Sequence, residues 1–425
     1  MADKIKIARA LIGVSDKTGL VELAQGLIRH DVEIISTGGT KIALEAASIP
    51  VIAVEQFTGF PEILGGRVKT LHPRIHGGIL GRREDPGDQR QMDEHGLVPI
   101  DLVVVNFYPF ERAVATASIS LSLPDAVENI DIGGPALVRA AAKNYASVAV
   151  VIEPADYPAI VGELNDNGGA ISAATRWRLM RKAFARVTAY DSAISNWLSA
   201  VDEPLAPLGE SFSLALTRAQ VLRYGENPHQ NGVLYGDFPQ VAKQLHGREL
   251  SFNNVLDISS AINLMLEFGD YDEAVVAILK HNTPCGVGVA PTLEQAWRKA
   301  LATDPESPFG GIIIANRCWD LEFAQAVDEL FTEVLIGPAF QPEVLEFLFK
   351  KKNRRVMRFH PEAATRNELD IKKVVGGILV QTPDLNIEDA HQARVMTRRA
   401  PSEGELRAMN FGIRVCKHVK SNAIA

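Results

Sequence analysis

From its N-terminus the chain alternates short apolar runs with stretches whose apolar positions recur at helical spacing. Ile5–Val14 reads as a strand. Gly19–His30 reads as a helix, with Leu20, Leu23, Ala24, Leu27 and Ile28 on one face. Val32–Ser36 and Val51–Val54 read as strands, with a helix over Thr40–Ala47 between them. Asp101–Phe107 is nearly all apolar, as in a strand covered on both faces, and Ser147–Ile152 is similar. This order predicts a parallel sheet with helices on both sides. Ser172–Ala200 reads as a long helix closing the first domain.

Asp202–Gly209 is rich in turn formers and predicts a linker. Beyond it, strands (Ala274–Leu279, Gly311–Ala315, Gly376–Val380) again mix with helices (Ile258–Phe268, Leu293–Thr303, Leu321–Phe331). The expected organisation is a domain over 1–200, a linker over 201–211 and a second domain over 212–425, both α/β. The basic run Lys350–Arg355 reads as a solvated helix end.

A chain of 425 residues exceeds what one hydrophobic core serves, in keeping with this division. A net charge of −8 leaves no basic surplus for nucleic acid, though a local pocket for one phosphate remains open. The three cysteines, Cys285, Cys318 and Cys416, are few and scattered, which suits a reducing compartment. The first residues lack the apolar stretch of a signal peptide. The longest apolar run, Leu102–Phe110, is broken by Asn106 and Pro109, so no membrane span is expected. A cytoplasmic protein follows from these readings.

Candidate chemistry concentrates in six places. Gly65–Pro73 puts Arg67, Lys69, Thr70 and His72 after a glycine pair, a set suited to a small phosphorylated ligand. Ser15–Gly19 and Ser36–Thr40 each follow a strand and open a helix, where free N–H groups favour phosphate. At the carboxyl ends of adjacent strands, both would face one crevice. Tyr108, just after Asn106, and Asp131 and Lys143 around a glycine-rich helix start supply proton-transfer groups beside Lys69. His72 and His76 have a zinc-compatible spacing, but Pro73 intervenes and no third ligand is evident, so no metal is expected. In the second domain, Arg223-Tyr224 opens a turn, and Lys280-His281 ends a strand where the lysine would keep the imidazole neutral enough to act as a base. Pro284-Cys285 matches one piece of the zinc deaminase signature, but Gly288 stands where the second cysteine belongs, which excludes that chemistry.

The runs VSDKTGL, STGGT, TGFPEILGGRVKTLHPRIHGGIL, NFYPF and ENIDIGGPALVRAAAKN closely resemble the IMP cyclohydrolase domain of the bifunctional AICAR transformylase/IMP cyclohydrolase family. LRYGENPHQ, LKHNTPCG, SFNNVLD, SPFGGIIIANR, KKNRRVMRF and VKSNAIA resemble the transformylase domain of the same family. The resemblance implies a methylglyoxal-synthase-like domain followed by a cytidine-deaminase-like one. It implies the last two steps of purine synthesis. A formyl group passes from 10-formyltetrahydrofolate to AICAR, giving FAICAR, which loses water to become IMP. By position, Ser15, Lys17, Thr18, Gly19, Ser36, Thr37, Gly38, Arg67, Thr70 and Asn106 would bind substrate in the first domain, with Lys69, Tyr108, Asp131 and Lys143 at the chemistry. In the second, His281 would be the base, helped by Lys280. Arg223, Tyr224, Gly310 and Asn422 would bind AICAR, with Arg223 and Tyr224 reaching across a homodimer.

The chain stops after Lys420-Ser421-Asn422-Ala423-Ile424, internal in the family and here inside an apparent strand. The family's later folate-site motifs are absent. The expectation is therefore an intact cyclohydrolase beside an incomplete, impaired transformylase. Two other readings stay open: a nucleotide-sensing regulatory module without catalysis, and a methylglyoxal synthase.

Overall fold

The structure, a computed structural model, describes residues 3–108, 110, 123–201, 208–364 and 369–424. Its contacts divide the chain into two units, Met1–Ala215 and Leu216–Ala425. Most of the expected linker, 202–207, lies outside the described residues.

In the first unit the strands are β1 (Lys4–Lys6), β2 (Arg9–Val14), β3 (Glu33–Ser36), β4 (Ile52–Ala53), β5 (Leu102–Asn106), β6 (Ala149–Val151) and β7 (Ala170–Ser172). The helices are α1 (Leu20–Ile28), α2 (Gly38–Ala46), α3 (Val54–Thr58), α4 (Pro73–Leu80), α5 (Pro86–Glu94), α6 (Leu123–Glu128), α7 (Gly133–Lys143), α8 (Tyr157–Asp166) and α9 (Ala173–Val201). Five strands form a parallel sheet in the order β4-β3-β2-β5-β6, as the alternation predicts. The expected single strand over Ile5–Val14 is two strands. β1 pairs antiparallel with β7, and the chain then turns a corner into β2. Asp101 holds that corner by accepting the N–H groups of Ala8 and Arg9 at 3.0 and 3.1 Å.

Residues of β2 and β5 are buried on both faces between helices. Leu179, Ala183, Val187 and Tyr190 recur at helical spacing along α9 and are all fully buried. Each such large side chain contributes about 1.5–3 kcal/mol on leaving water. Thr40 ties α2 to β2: its hydroxyl accepts the Val14 N–H at 3.0 Å and donates to the Val14 carbonyl at 2.9 Å. Because all five strands run one way, Val14–Gly19, Ser36–Gly38 and Asn106–Tyr108 lie along one edge of the sheet.

In the second unit the strands are β8 (Arg218–Val221), β9 (Val233–Tyr235), β10 (Ala242–His246), β11 (Ala274–Lys280), β12 (Thr283–Ala290), β13 (Gly311–Ala315), β14 (Thr332–Gly337), β15 (Arg355–Phe359), β16 (Asp370–Val374) and β17 (Gly377–Gln381). The helices are α10 (Phe238–Val241), α11 (Phe252–Leu266), α12 (Leu293–Thr303), α13 (Leu321–Asp328), α14 (Pro342–Leu348) and α15 (Glu403–Cys416). Six strands form a mixed sheet in the order β10-β15-β14-β13-β11-β12. One face buries Trp297, Trp319 and Phe323; the other buries Ile258, Met265 and Phe268.

Three features depart from the sequence-based expectation. α11 starts at Phe252 rather than Ile258, because Ser251 and Asn254 form a reciprocal cap: Asn254 N–H to Ser251 Oγ at 3.3 Å, Ser251 N–H to Asn254 Oδ1 at 3.1 Å. Strand β12 has no apolar signal because it contains Pro284, Gly286 and Gly288. It is an edge strand, where proline is tolerated. Its glycines let α12 lie directly on it: a Cβ on Gly286 or Gly288 would sit 2.1 Å from the carbonyls of Ala300 or Ala296. After α15, residues 417–424 belong to no strand, so the expected terminal strand is not formed. α15 packs Phe411 and Val415 against the core, and charges flank it: Lys417 Nζ lies 3.1 Å from the buried carboxylate of Glu267, and Arg414 pairs with Asp270.

Candidate active sites

The carboxyl edge of the first sheet gathers most of the expected residues. Asn106, at the end of β5, accepts the N–H groups of Ser15 and Asp16 at 2.6 and 2.9 Å and donates to the Asp16 carbonyl at 3.0 Å. It thereby shapes the turn that opens α1. Asp16 in turn accepts the N–H and hydroxyl of Thr18 at 2.9 and 2.7 Å. Gly19 follows with φ +67°, a backbone that disfavours a side chain. Lys17 leans over the start of α2, its Nζ 3.8 Å from where a Cβ on Gly39 would lie.

Lys69 reaches the same helix start from the other side: a Cβ on Gly38 would lie 3.9 Å from its Nζ. Two ammonium groups thus flank the free N–H groups of α2. The hydroxyl of Thr37, at the N-cap of α2, is buried there without a hydrogen-bond partner. Such a helix start with added cations suits a phosphate. Ser36 does not join it. Its hydroxyl is fully buried and donates to the Ile12 carbonyl at 2.7 Å, because the last residue of β3 faces β2.

The Gly65–Pro73 segment is a tight turn. Leu64, Gly65 and Gly66 all have positive φ (56°, 62° and 94°), and Ile63 and Val68 bridge across it. The turn aims Lys69 inward, where its Nζ also pairs with Glu62 at 3.0 Å. Arg67 is exposed and lies 3.5 Å from Glu128. Thr70 reaches the start of α7, its hydroxyl 3.2 Å from where a Cβ on Gly133 would sit. His72 caps α4 by accepting the Arg74 N–H at 3.1 Å. Among the described residues no cluster of three or more His, Cys, Asp or Glu could hold a metal ion.

Asp131 closes the group. It accepts the Gly134 N–H at 2.9 Å and the backbone N–H of Tyr108, and its own N–H donates to the Tyr190 hydroxyl at 2.8 Å. Burial pushes its carboxyl above the usual value of 3.8, against the two N–H bonds. The Tyr108 side chain is exposed. Lys143 is not brought to this place within the chain. It ends α7, whose first residue is Gly133, and ten helical steps put it about 15 Å further along. Tyr157 is a neighbour the motifs did not reveal: its ring approaches the Gly19 turn, and burial, with Asp16 nearby, pushes its hydroxyl up to about 12.

The second unit holds a cavity of about 600 Å³. Six stretches converge on it: 223–224, 248–257, 279–281, 310–312, 331–333 and 351–355. Arg223, Tyr224, Lys280, His281 and Gly310 line it together within one chain. Arg223 lies 4.4 Å above the Tyr224 ring and donates to its hydroxyl at 2.6 Å, while its Nε and Nη1 are buried without partners. Lys280 Nζ donates to the Phe309 carbonyl at 3.0 Å. Gly310, with φ +74°, bonds the Phe331 carbonyl through its N–H at 2.8 Å. Asn422 is exposed and does not line the cavity.

The basic run read as a solvated helix end is part of this wall. Arg354 and Arg355 are 4% and 6% exposed. Arg354 pairs with Asp328 and keeps Nε and Nη2 buried without partners. Arg355 donates to the Glu249 carbonyl at 3.1 Å and lies 3.7 Å from Glu333. With Arg223, Arg248 and Lys280, these side chains make a strongly cationic cavity against two acids, Asp257 and Glu333.

Comparison with known proteins extends to both units. Residues 19–136 match the MGS-like domain and residues 141–425 the AICARFT/IMPCHase bienzyme. Curated relatives include the bifunctional purine biosynthesis protein PurH of Chloroflexus aurantiacus, 48% identical over 100% of this chain and 81% of its own. The Myxococcus xanthus protein of the same name is 50% identical over 98% of this chain and 81% of its own. A match through residue 425 gives no support to the expected impairment of formyl transfer, and it does not favour a sensor module or a methylglyoxal synthase. Among the described residues no helix is long and apolar enough to cross a membrane. The chain belongs to the AICARFT/IMPCHase bienzyme family, the bifunctional AICAR transformylase/IMP cyclohydrolase enzymes of purine biosynthesis.

Proposed function

We propose that FAICAR closes to IMP at the carboxyl edge of the first sheet, and that AICAR is formylated in the cavity of the second unit. In the first site the ribose phosphate sits at the start of α2, between Lys17 and Lys69 and against the Thr37 hydroxyl. The Ser15–Gly19 turn and Thr70 complete its binding, and Arg67 stands at the rim. The carboxamide nitrogen attacks the formyl carbon, forming the C–N bond and an alkoxide. The alkoxide takes the proton that the attacking nitrogen loses; the resulting hydroxyl then leaves as water with a second proton, as the former formamide nitrogen gives up its N–H proton and forms the ring C=N bond. Asp131, half-buried and shifted toward the protonated form, handles these protons with Lys69 and Tyr108. Lys143 is given no role here.

In the second site Arg223 offers its unpartnered N–H groups to the AICAR phosphate. His281 takes a proton as the 5-amino group attacks the formyl carbon of 10-formyltetrahydrofolate, with Lys280 beside it. The C–N10 bond of the folate then breaks, N10 gains a proton, and tetrahydrofolate leaves. The protein is a cytoplasmic homodimer on this reading, with the folate as co-substrate and no metal.

The observation that carries the first assignment is the convergence of Lys17, Lys69 and an unpartnered buried hydroxyl on one helix start. The test supplies FAICAR and follows IMP. Lys69→Ala and Asp131→Ala should each lower kcat/KM by about 10²-fold or more. Unchanged rates in both variants would refute the site. In parallel, AICAR with 10-formyltetrahydrofolate should yield FAICAR with the wild type and almost none with His281→Ala.

A further inference from the structure

The turn that carries His281 is held from outside itself. Strands β11 and β12 pair through Lys280 and Thr283, leaving His281 and Asn282 as a two-residue hairpin loop. Both have positive φ, 53° and 63°, where side-chain-bearing residues are disfavoured. Such loops usually carry glycine at their second position. Here there is none, and two side chains of α11 intervene. Asp257 Oδ1 accepts the Asn282 N–H at 2.8 Å, and Ser260 donates its hydroxyl to Asn282 Oδ1 at 3.3 Å. Asp257 and Ser260 are three apart on α11 and so share a face.

Asp257 also lines the cavity, one of only two acids in its cationic wall among the described residues. Burial pushes its carboxyl above the usual value, and the nearby His281 opposes that shift. An acid kept at such a site at a cost in desolvation calls for a use.

We propose that Asp257 is a positioning residue for formyl transfer: by accepting the Asn282 N–H it fixes the left-handed turn that aims the His281 imidazole into the cavity. The inference rests on the reading of His281 as the base. It does not require Asp257 to touch substrate. Without the carboxylate the turn relaxes toward ordinary backbone, the imidazole swings off line, and a displacement of about 1 Å costs on the order of 10²-fold in rate.

The test measures formyl transfer to AICAR by the whole chain and its variants. Asp257→Ala should lower kcat by about 10²-fold with little change in the KM for AICAR. Asp257→Asn keeps an oxygen acceptor for the Asn282 N–H and should retain most of kcat. The double variant Asp257→Ala/Asn282→Gly should recover about tenfold, because glycine adopts positive φ without the penalty that the lost bond offset. A merely structural role for Asp257 in α11 would not be rescued by glycine in a neighbouring loop. Full activity in Asp257→Ala with His281→Ala inactive would overturn the positioning role and leave the base intact. Loss in Asp257→Ala without rescue, or with a collapse in thermal stability that the double variant shares, would also overturn it. Full activity in His281→Ala would instead remove the reading on which the inference stands.

Discussion

Asp131 carries its charge against its surroundings, and that has a measurable consequence for stability. Burial raises its carboxyl above 3.8, so folding favours the protonated form. The sign follows from linkage: a raised carboxyl stabilises the fold below the unfolded value and loses that contribution as pH rises through the folded value. Asp131→Asn removes the ionisation but keeps an oxygen for the Gly134 N–H. It should therefore melt above the wild type at pH 7, with the gain shrinking to nothing as pH falls below 3.8, while IMP formation drops. Equal melting temperatures across that range would show that the two N–H bonds fully offset burial. At this scale the sequence was partly legible. Lys69, Asp131, Arg223 and His281 stood out because each pairs a reactive type with turn-forming neighbours. Arg354 and Arg355 entered only through the resemblance of KKNRRVMRF to the family, since a basic run by itself looks the same whether it is solvated or forms a cavity wall. Lys143 stands a helix length from Gly133 within the chain, a separation that the rise per residue gives.

Elements were legible where one period dominated and illegible where packing set the rule. Leu293–Thr303 and Gly311–Ala315 stand where periodicity puts them. Strand β12 was invisible because the same glycines that weaken its strand signal let α12 rest on its backbone. Gly288→Ala would force a methyl to 2.1 Å from the Ala296 carbonyl, a contact only backbone movement can relieve. The expected cost is about 1–3 kcal/mol, read by denaturant unfolding as a lower midpoint at unchanged slope. Because β12 follows the His281 turn directly, the same variant should also lower formyl transfer more than IMP formation. A stable variant with both activities intact would mean α12 can lift from the strand without consequence.

Each unit buries its own core, and each carries one of the two candidate sites. Ligand stabilisation should therefore be separable within one molecule. IMP at a hundredfold excess over its dissociation constant adds about 2.7 kcal/mol to whatever unfolds with the first site. For a unit of about 200 residues that is roughly 5–11 °C in melting temperature. Calorimetry of the whole chain should show one transition rising with IMP. Lys69→Ala should abolish that rise and leave the shift produced by AICAR at the second site, because Lys69 Nζ stands at the start of α2. Arg223→Ala should do the reverse, since Arg223 lines the second cavity. Both nucleotides carry the same phosphate, so the variants, rather than the ligands, make the distinction. If either substitution removed both responses, or if one transition moved as a whole with either ligand, the two sites would be stabilising a single cooperative body, and the assignment of one site to each unit would have lost its thermodynamic support.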